Sequence, residues 1–130
     1  MSGPAPVAAV DPFDLPEWLG TSEVTWTATT SVHAGHSVRG ELSGGEGDSL
    51  ACDLLGVDQA FPEPVVADVW RQRAHQAWTH DQVLLVEYAG RLTLAVPGKE
   101  FTADDVLEAL GRFTKAVGAT PGRYLAALRL

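Results

Sequence analysis

Gln82-Val-Leu-Leu-Val-Glu-Tyr88, Ala89-Gly90 and Arg91-Leu-Thr-Leu-Ala-Val96 read as two apolar strands around a tight turn. A two-residue loop ending in glycine suits a turn that needs a positive φ at that position. Closing the ribbon there sets Tyr88 opposite Arg91, Glu87 opposite Leu92 and Leu85 opposite Leu94. Side chains alternate along a strand. Val83, Leu85, Leu92, Leu94 and Val96 therefore share a core face, with Glu87 near its end. The other face carries Leu84, Val86, Tyr88, Arg91, Thr93 and Ala95. It is too apolar for water on its first strand and too polar for deep core on its second. We expect it to be half covered, by another element or by a second copy of the chain.

An amphipathic helix follows. Thr102 is a natural N-cap, and Asp105 three residues on completes a capping box in its Asp form. Phe101 and Val106 make a hydrophobic staple around that cap. Asp104 and Asp105 suit the positive end of the helix dipole, while Arg112 and Lys115 lie toward the other end. Val106, Ala109, Leu110, Phe113 and Val117 recur at helical spacing, and Gly118 is a stop.

Working outward, residues 1–12 are rich in Pro and Ala and predict a disordered tail, leaving 13–130 as a single domain. In Asp11-Pro-Phe-Asp-Leu-Pro-Glu-Trp-Leu19, Asp14 is placed to cap a short turn, and Phe13, Leu15, Trp18 and Leu19 are apolar anchors. They dock on their own domain or, as an acidic-aromatic motif, enter a partner's groove. Glu23 to Val32 alternates as a strand, with Val24, Trp26 and Ala28 on one face and Thr25, Thr27 and Thr29 on the other. A second strand has Val38, Gly40 and Leu42 inward. A third starts at Ser49 with Leu50, Cys52 and Leu54 inward; Leu55-Gly56-Val57 breaks its alternation and predicts a bulge or strand end. A helix is expected from about Pro64 to Thr79, with Val66, Val69, Trp70, Ala74, Ala77 and Trp78 on its apolar face. Thr120 and Pro121 read as the start of a short terminal helix with Tyr124, Leu125 and Leu128 as its stripe. The order βββ-α-ββ-α predicts an α+β domain: one antiparallel sheet of about five strands with helices packed on one face.

The chain has 130 residues, enough to bury roughly two thirds of its unfolded surface. Its net charge of −8 is uneven. Residues 1–60 hold Asp11, Asp14, Glu17, Glu23, Glu41, Glu46, Asp48, Asp53 and Asp58 against Arg39 alone, whereas 61–130 are balanced. Phosphate recognition needs concentrated Lys and Arg, so nucleic acid and anionic membrane are not expected partners, and a basic protein is admitted. No apolar run approaches the ~20 residues of a membrane span. The N-terminus lacks the basic and apolar regions of a signal peptide, and Cys52 is alone, so a cytoplasmic setting is expected.

Candidate chemistry is thin. His33-x-x-His36 has a spacing metals use, but zinc wants three or four ligands, and no Cys or carboxylate set lies at a defined distance. Cys52 in an alternating apolar strand is expected to be buried and inert. Gly44-Gly45 is followed by acids rather than Lys-Ser/Thr, so it is not a phosphate loop. No catalytic residue, cofactor or metal site is assigned.

The tail Val117-Gly-Ala-Thr-Pro-Gly-Arg-Tyr-Leu-Ala-Ala-Leu-Arg-Leu130 resembles the last turn and helix of AraC-type DNA-binding domains over about fourteen residues. The helices that would precede it are replaced here by a hairpin and one helix, so no DNA-contacting role carries over. The order of elements, without a shared motif, resembles that of type III secretion chaperones. That likeness implies dimerisation and binding of partner segments along sheet and helix surfaces. The reading that results is a non-enzymatic protein-interaction, adaptor or chaperone-like module that forms a homodimer. Its expected partner-binding residues are Leu84, Val86 and Tyr88, Trp70 and Trp78, and Phe13 and Trp18. The alternative is a small-molecule binder or weakly signed enzyme with a pocket between sheet and helices lined by Trp26, Cys52 and Trp70.

Overall fold

A computed structural model describes residues 7–32, 36–57, 67–98 and 101–130. Eight strands form one mixed sheet: β1 (Val7–Ala9), β2 (Val24–Ala28), β3 (Ser37–Val38), β4 (Gly40–Ser43), β5 (Ser49–Gly56), β6 (Leu84–Tyr88), β7 (Arg91–Val96) and β8 (Tyr124–Ala127). Among the described residues three helices accompany it: α1 (Trp18–Thr21), α2 (Asp68–Thr79) and α3 (Ala103–Ala116). The sheet runs β1-β6-β7-β5-β4-β2-β8, with β3 also paired to β5. Most neighbours are antiparallel, but β5 pairs with β7 and β2 with β8 in parallel.

The hairpin forms in the expected register, Tyr88 opposite Arg91 and Leu85 opposite Leu94. Its turn places both Ala89 and Gly90 at positive φ, 54° and 79°, as a two-residue connection of this hand requires. The α3 cap also forms as read. Asp105 N donates to Thr102 Oγ1, and Thr102 N donates to Asp105 Oδ2, each at 3.2 Å. At its other end Gly118 has φ 78°, and Ala119 N reaches back to Thr114 O at 2.8 Å with Gly118 N on Lys115 O. That pair of bonds is a Schellman stop, which supplies partners for carbonyls the helix leaves over.

Three expectations are corrected. The sheet is mixed and eight-stranded, not antiparallel with about five strands. The added strands are β1, from the stretch expected as tail, the short β3, and β8. β8 replaces the expected terminal helix. Thr120 makes no side-chain cap, and a single 3-10 turn at Pro121–Arg123 leads into extended chain. The open side of β2 instead offers a full ladder, Val24 beside Tyr124 through Thr27 beside Ala127.

The third correction concerns the helices, which lie on both faces of the sheet. Leu85 and Val86 are consecutive, so they point opposite ways. Leu85 joins Cys52, Leu54, Leu94 and the α3 residues Val106, Ala109, Leu110 and Phe113. Val86 joins Leu55, Val57, Ala95 and Ala74 of α2. The run Leu55-Gly56-Val57, expected as a bulge or a strand end, is the strand end: β5 runs through Leu55 and closes at Gly56 without a bulge. Its outward residues change from Ser49, Ala51 and Asp53 to Leu55 because the strand passes beneath α2. An apolar run is the pattern of a strand covered on two sides. The expected helix start at Pro64 and the inward Val66 lie outside the described residues; α2 is described from Asp68, preceded by Ala67.

Candidate functional site

Val86 is 1% exposed beneath Ala74, and Leu84, Tyr88 and Trp70 are half-buried around the same cluster. The apolar hairpin face is thus covered within the chain. Trp78 belongs elsewhere. It packs on the α3-side core with the Arg112 guanidinium 3.5 Å above its ring. Trp70 and Trp78 therefore serve different clusters. The acidic-aromatic segment also divides. Leu15, Trp18 and Leu19 dock on the core, while Phe13 stands 95% exposed. Asp11, not Asp14, caps the turn there, accepting from Phe13 N at 2.9 Å.

The pocket expected between Trp26, Cys52 and Trp70 does not form. Trp26 and Cys52 are fully buried, and the indole N–H donates to Cys52 O at 2.9 Å. Trp70 packs in the other cluster. Burial, then the Asp53 charge, pushes the Cys52 thiol well up from its ordinary value. It stays protonated and is a poor nucleophile. His33 lies outside the described residues. Among those described, no three His, Cys, Asp or Glu side chains gather as a metal set, and no helix is long and apolar enough to cross a membrane.

Two surfaces stand out instead. The first is the sheet beyond the reach of α2. Thr25 and Thr27 of β2, Glu41 and Ser43 of β4, and Ser49, Ala51 and Asp53 of β5 are all exposed or half-buried. Strand register aligns them in cross-strand rows, Ala127–Thr27–Glu41–Ala51 and Leu125–Thr25–Ser43–Ser49. Where this open area meets the covered one, Arg91 grips Asp53 with two bonds, Nε to Oδ2 at 2.7 Å and Nη2 to Oδ1 at 2.9 Å. The pair raises the Arg91 pKa, chiefly through that hydrogen bonding. Asp53 Oδ1 also accepts from Gly40 N at 3.2 Å, so the fork joins β7, β5 and β4.

The sheet ends at β8. Tyr124 and Ala126 turn toward the core; Tyr124 Oη donates to Leu19 O at 2.7 Å, and its ring meets Phe113 edge-on at 6.0 Å. Burial raises the Tyr124 phenol above its ordinary pKa. Leu125 points away, 63% exposed, and Leu107 of α3 is 50% exposed. With Leu110, Gly111, Pro121 and Tyr124 they line a shallow groove of about 190 Å³. Among the described residues no strand pairs with the outer side of β8. Sequence reading missed this place because it put Leu125 on a helix. A usable sign was Leu107, a leucine off the apolar stripe of α3.

The second surface is a cleft of about 520 Å³ where α2 and α3 end beside β6. Val10, Ala77, Val83 and Leu85 supply its apolar lining, and Arg73, His80, Asp81, Arg112 and Lys115 its polar part. Arg112 Nη1 donates to Trp78 O at 2.7 Å and Gln82 O at 3.2 Å, satisfying carbonyls left by the end of α2. Its Nη2 reaches Glu108 at 3.2 Å. Its Nε is buried without a partner. Asp81 takes a positive φ of 60°, a conformation that Asp tolerates better than most residues. The Lys115 ammonium, 2.9 Å away, holds the Asp81 carboxyl below its ordinary pKa. No protein-family model matches this chain, and comparisons with curated proteins and with solved structures give no match either.

Proposed function

We propose that this chain is a protein-interaction module, adaptor or chaperone-like in kind, that receives an extended partner segment along the outer edge of β8. The supporting observation is that edge itself. An unpaired strand presents a row of N–H and C=O groups ready to template another strand, and proteins usually blunt it with charge, proline or a covering element. Tyr124–Ala127 carries neither charge nor proline, and exposed Leu125 and Leu107 flank it. Strand addition uses this arrangement: main-chain bonds provide affinity, and side pockets provide selectivity.

The partner strand nearest to hand is β8 of a second copy, paired antiparallel about a two-fold axis. The acidic 1–60 half favours basic segments where the partner is another protein. A lone buried thiol suits a reducing, cytoplasmic setting. Light scattering over a concentration series tests the reading. Mass should rise toward twice 13.8 kDa, with amide exchange slowed across residues 124–127. Leu125→Asp should abolish both while leaving the circular dichroism spectrum unchanged. Dimers that persist in Leu125→Asp, or a strict monomer at high concentration, would refute pairing through this edge.

A further inference from the structure

The cleft at the ends of α2 and α3 has no part in that reading, and the geometry points to a binding site for a small amphiphilic anion: a carboxylate on an apolar chain. Its volume of about 520 Å³ falls in the range of ligand pockets. The charge around it is opposite to that of the molecule. The chain carries −8, yet the cleft gathers Arg73, Arg112 and Lys115 against Asp81 alone. Glu108, which pairs with Arg112, is not part of the lining. Val10, Val83 and Leu85 give an alkyl chain an apolar bed.

The polar groups differ in how firmly they are held. Arg112 has a side chain 11% exposed, stacked on Trp78 and fixed by two carbonyls. It is a rigid cation with one buried N–H unmet. A guanidinium in a fixed pose loses little freedom on gaining a carboxylate. Lys115 and Asp81 are 61% and 69% exposed, and an ion pair so open to water is weak. An incoming carboxylate can therefore take Lys115 from Asp81 at small cost. The positive φ at Asp81 belongs to the same lining, and strained backbone gathers at binding sites.

The test uses the full chain and three eight-carbon probes: octanoate, octanol and octyltrimethylammonium. Binding is read by calorimetry and by amide shifts. Octanoate should bind saturably, at least about tenfold tighter than either other probe, a difference of about 1.4 kcal/mol. Its shifts should centre on residues 80–85 and 112–116. Arg73→Gln with Lys115→Met should weaken octanoate by about tenfold and leave octanol binding and the circular dichroism spectrum unchanged. Leu125→Asp should bind octanoate like the parent, which separates this site from the β8 edge. Equal binding of the cationic probe, shifts centred on Leu107 and Leu125, or no saturation in the millimolar range would each overturn the assignment.

Discussion

The β5-β7-β6 end of the sheet and the β4-β2-β8 end share one continuous core beneath them but differ above. At the first end α2 closes the upper face over Leu55, Val86 and Ala95. At the second, Thr25, Thr27, Glu41, Ser43 and Ser49 lie at the surface. β5 crosses from one regime to the other, and its outward residues change from Ser, Ala and Asp to Leu as it does. The side chains thus report what lies above each position along a single strand. The face left without a second layer is therefore that of the β4-β2-β8 end, not the apolar hairpin.

Replacing Leu55 by Ala should give the largest effect, about 2–5 kcal/mol in denaturant unfolding, because it leaves a cavity under α2. Thr27→Ala on the open rows should stay within about 0.5 kcal/mol. If the two losses were equal, the difference between the two ends would be lost. Next is Gly40→Ala. A Cβ there would run into the Trp26 indole. Trp26 is fully buried with its N–H held by Cys52 O, so the ring has little room to yield. The cost should be about 1–3 kcal/mol, showing the lower face of the open end to be as tightly built as the closed end. Full stability in Gly40→Ala would contradict this.

The smallest effect lies where α2 hands the chain to β6. Asp81 has its pKa lowered by Lys115. A depressed carboxyl contributes stability above its unfolded pKa, and that contribution fades as pH falls through the folded value. An NMR titration should place the Asp81 midpoint below 3.8, and Lys115→Met should move it upward. An unchanged midpoint in that variant would remove Lys115 as the cause.

The readable parts of the sequence were those set by neighbours in the chain. The Ala89-Gly90 turn fixed the hairpin register, and the Thr102–Asp105 box and Gly118 fixed both ends of α3. Each involves residues within a few positions, where turn and cap chemistry decides. Pairings between distant segments were not readable. β5 beside β7 and β2 beside β8 are parallel, and no short loop announces such a pairing. Tyr124-Leu-Ala-Ala127 has fair helix propensity, and the waiting edge of β2 overrode it. Of the candidate surfaces, Thr25 and Thr27 read as one face of a strand, and Arg112 and Lys115 as charges suited to a helix end. Their meeting with Asp81 and Trp78 follows from the path of α2. The acidic-aromatic segment was legible in outline, since Leu15, Trp18 and Leu19 dock and leave Phe13 outside.

The parallel pairing of Val24 with Tyr124 also bears on how the molecule is made. Synthesis delivers residues in order, so β2 is complete about a hundred positions before its neighbour exists. Arg123 on Gly20 O, Tyr124 on Leu19 O and Arg129 on Thr29 O join the same distant parts. On a translating ribosome one flank of β2 would stand bare until residues 124–127 emerge. A chain stalled shortly before Tyr124 should therefore be a client for holdase chaperones, and its release should coincide with the arrival of that strand.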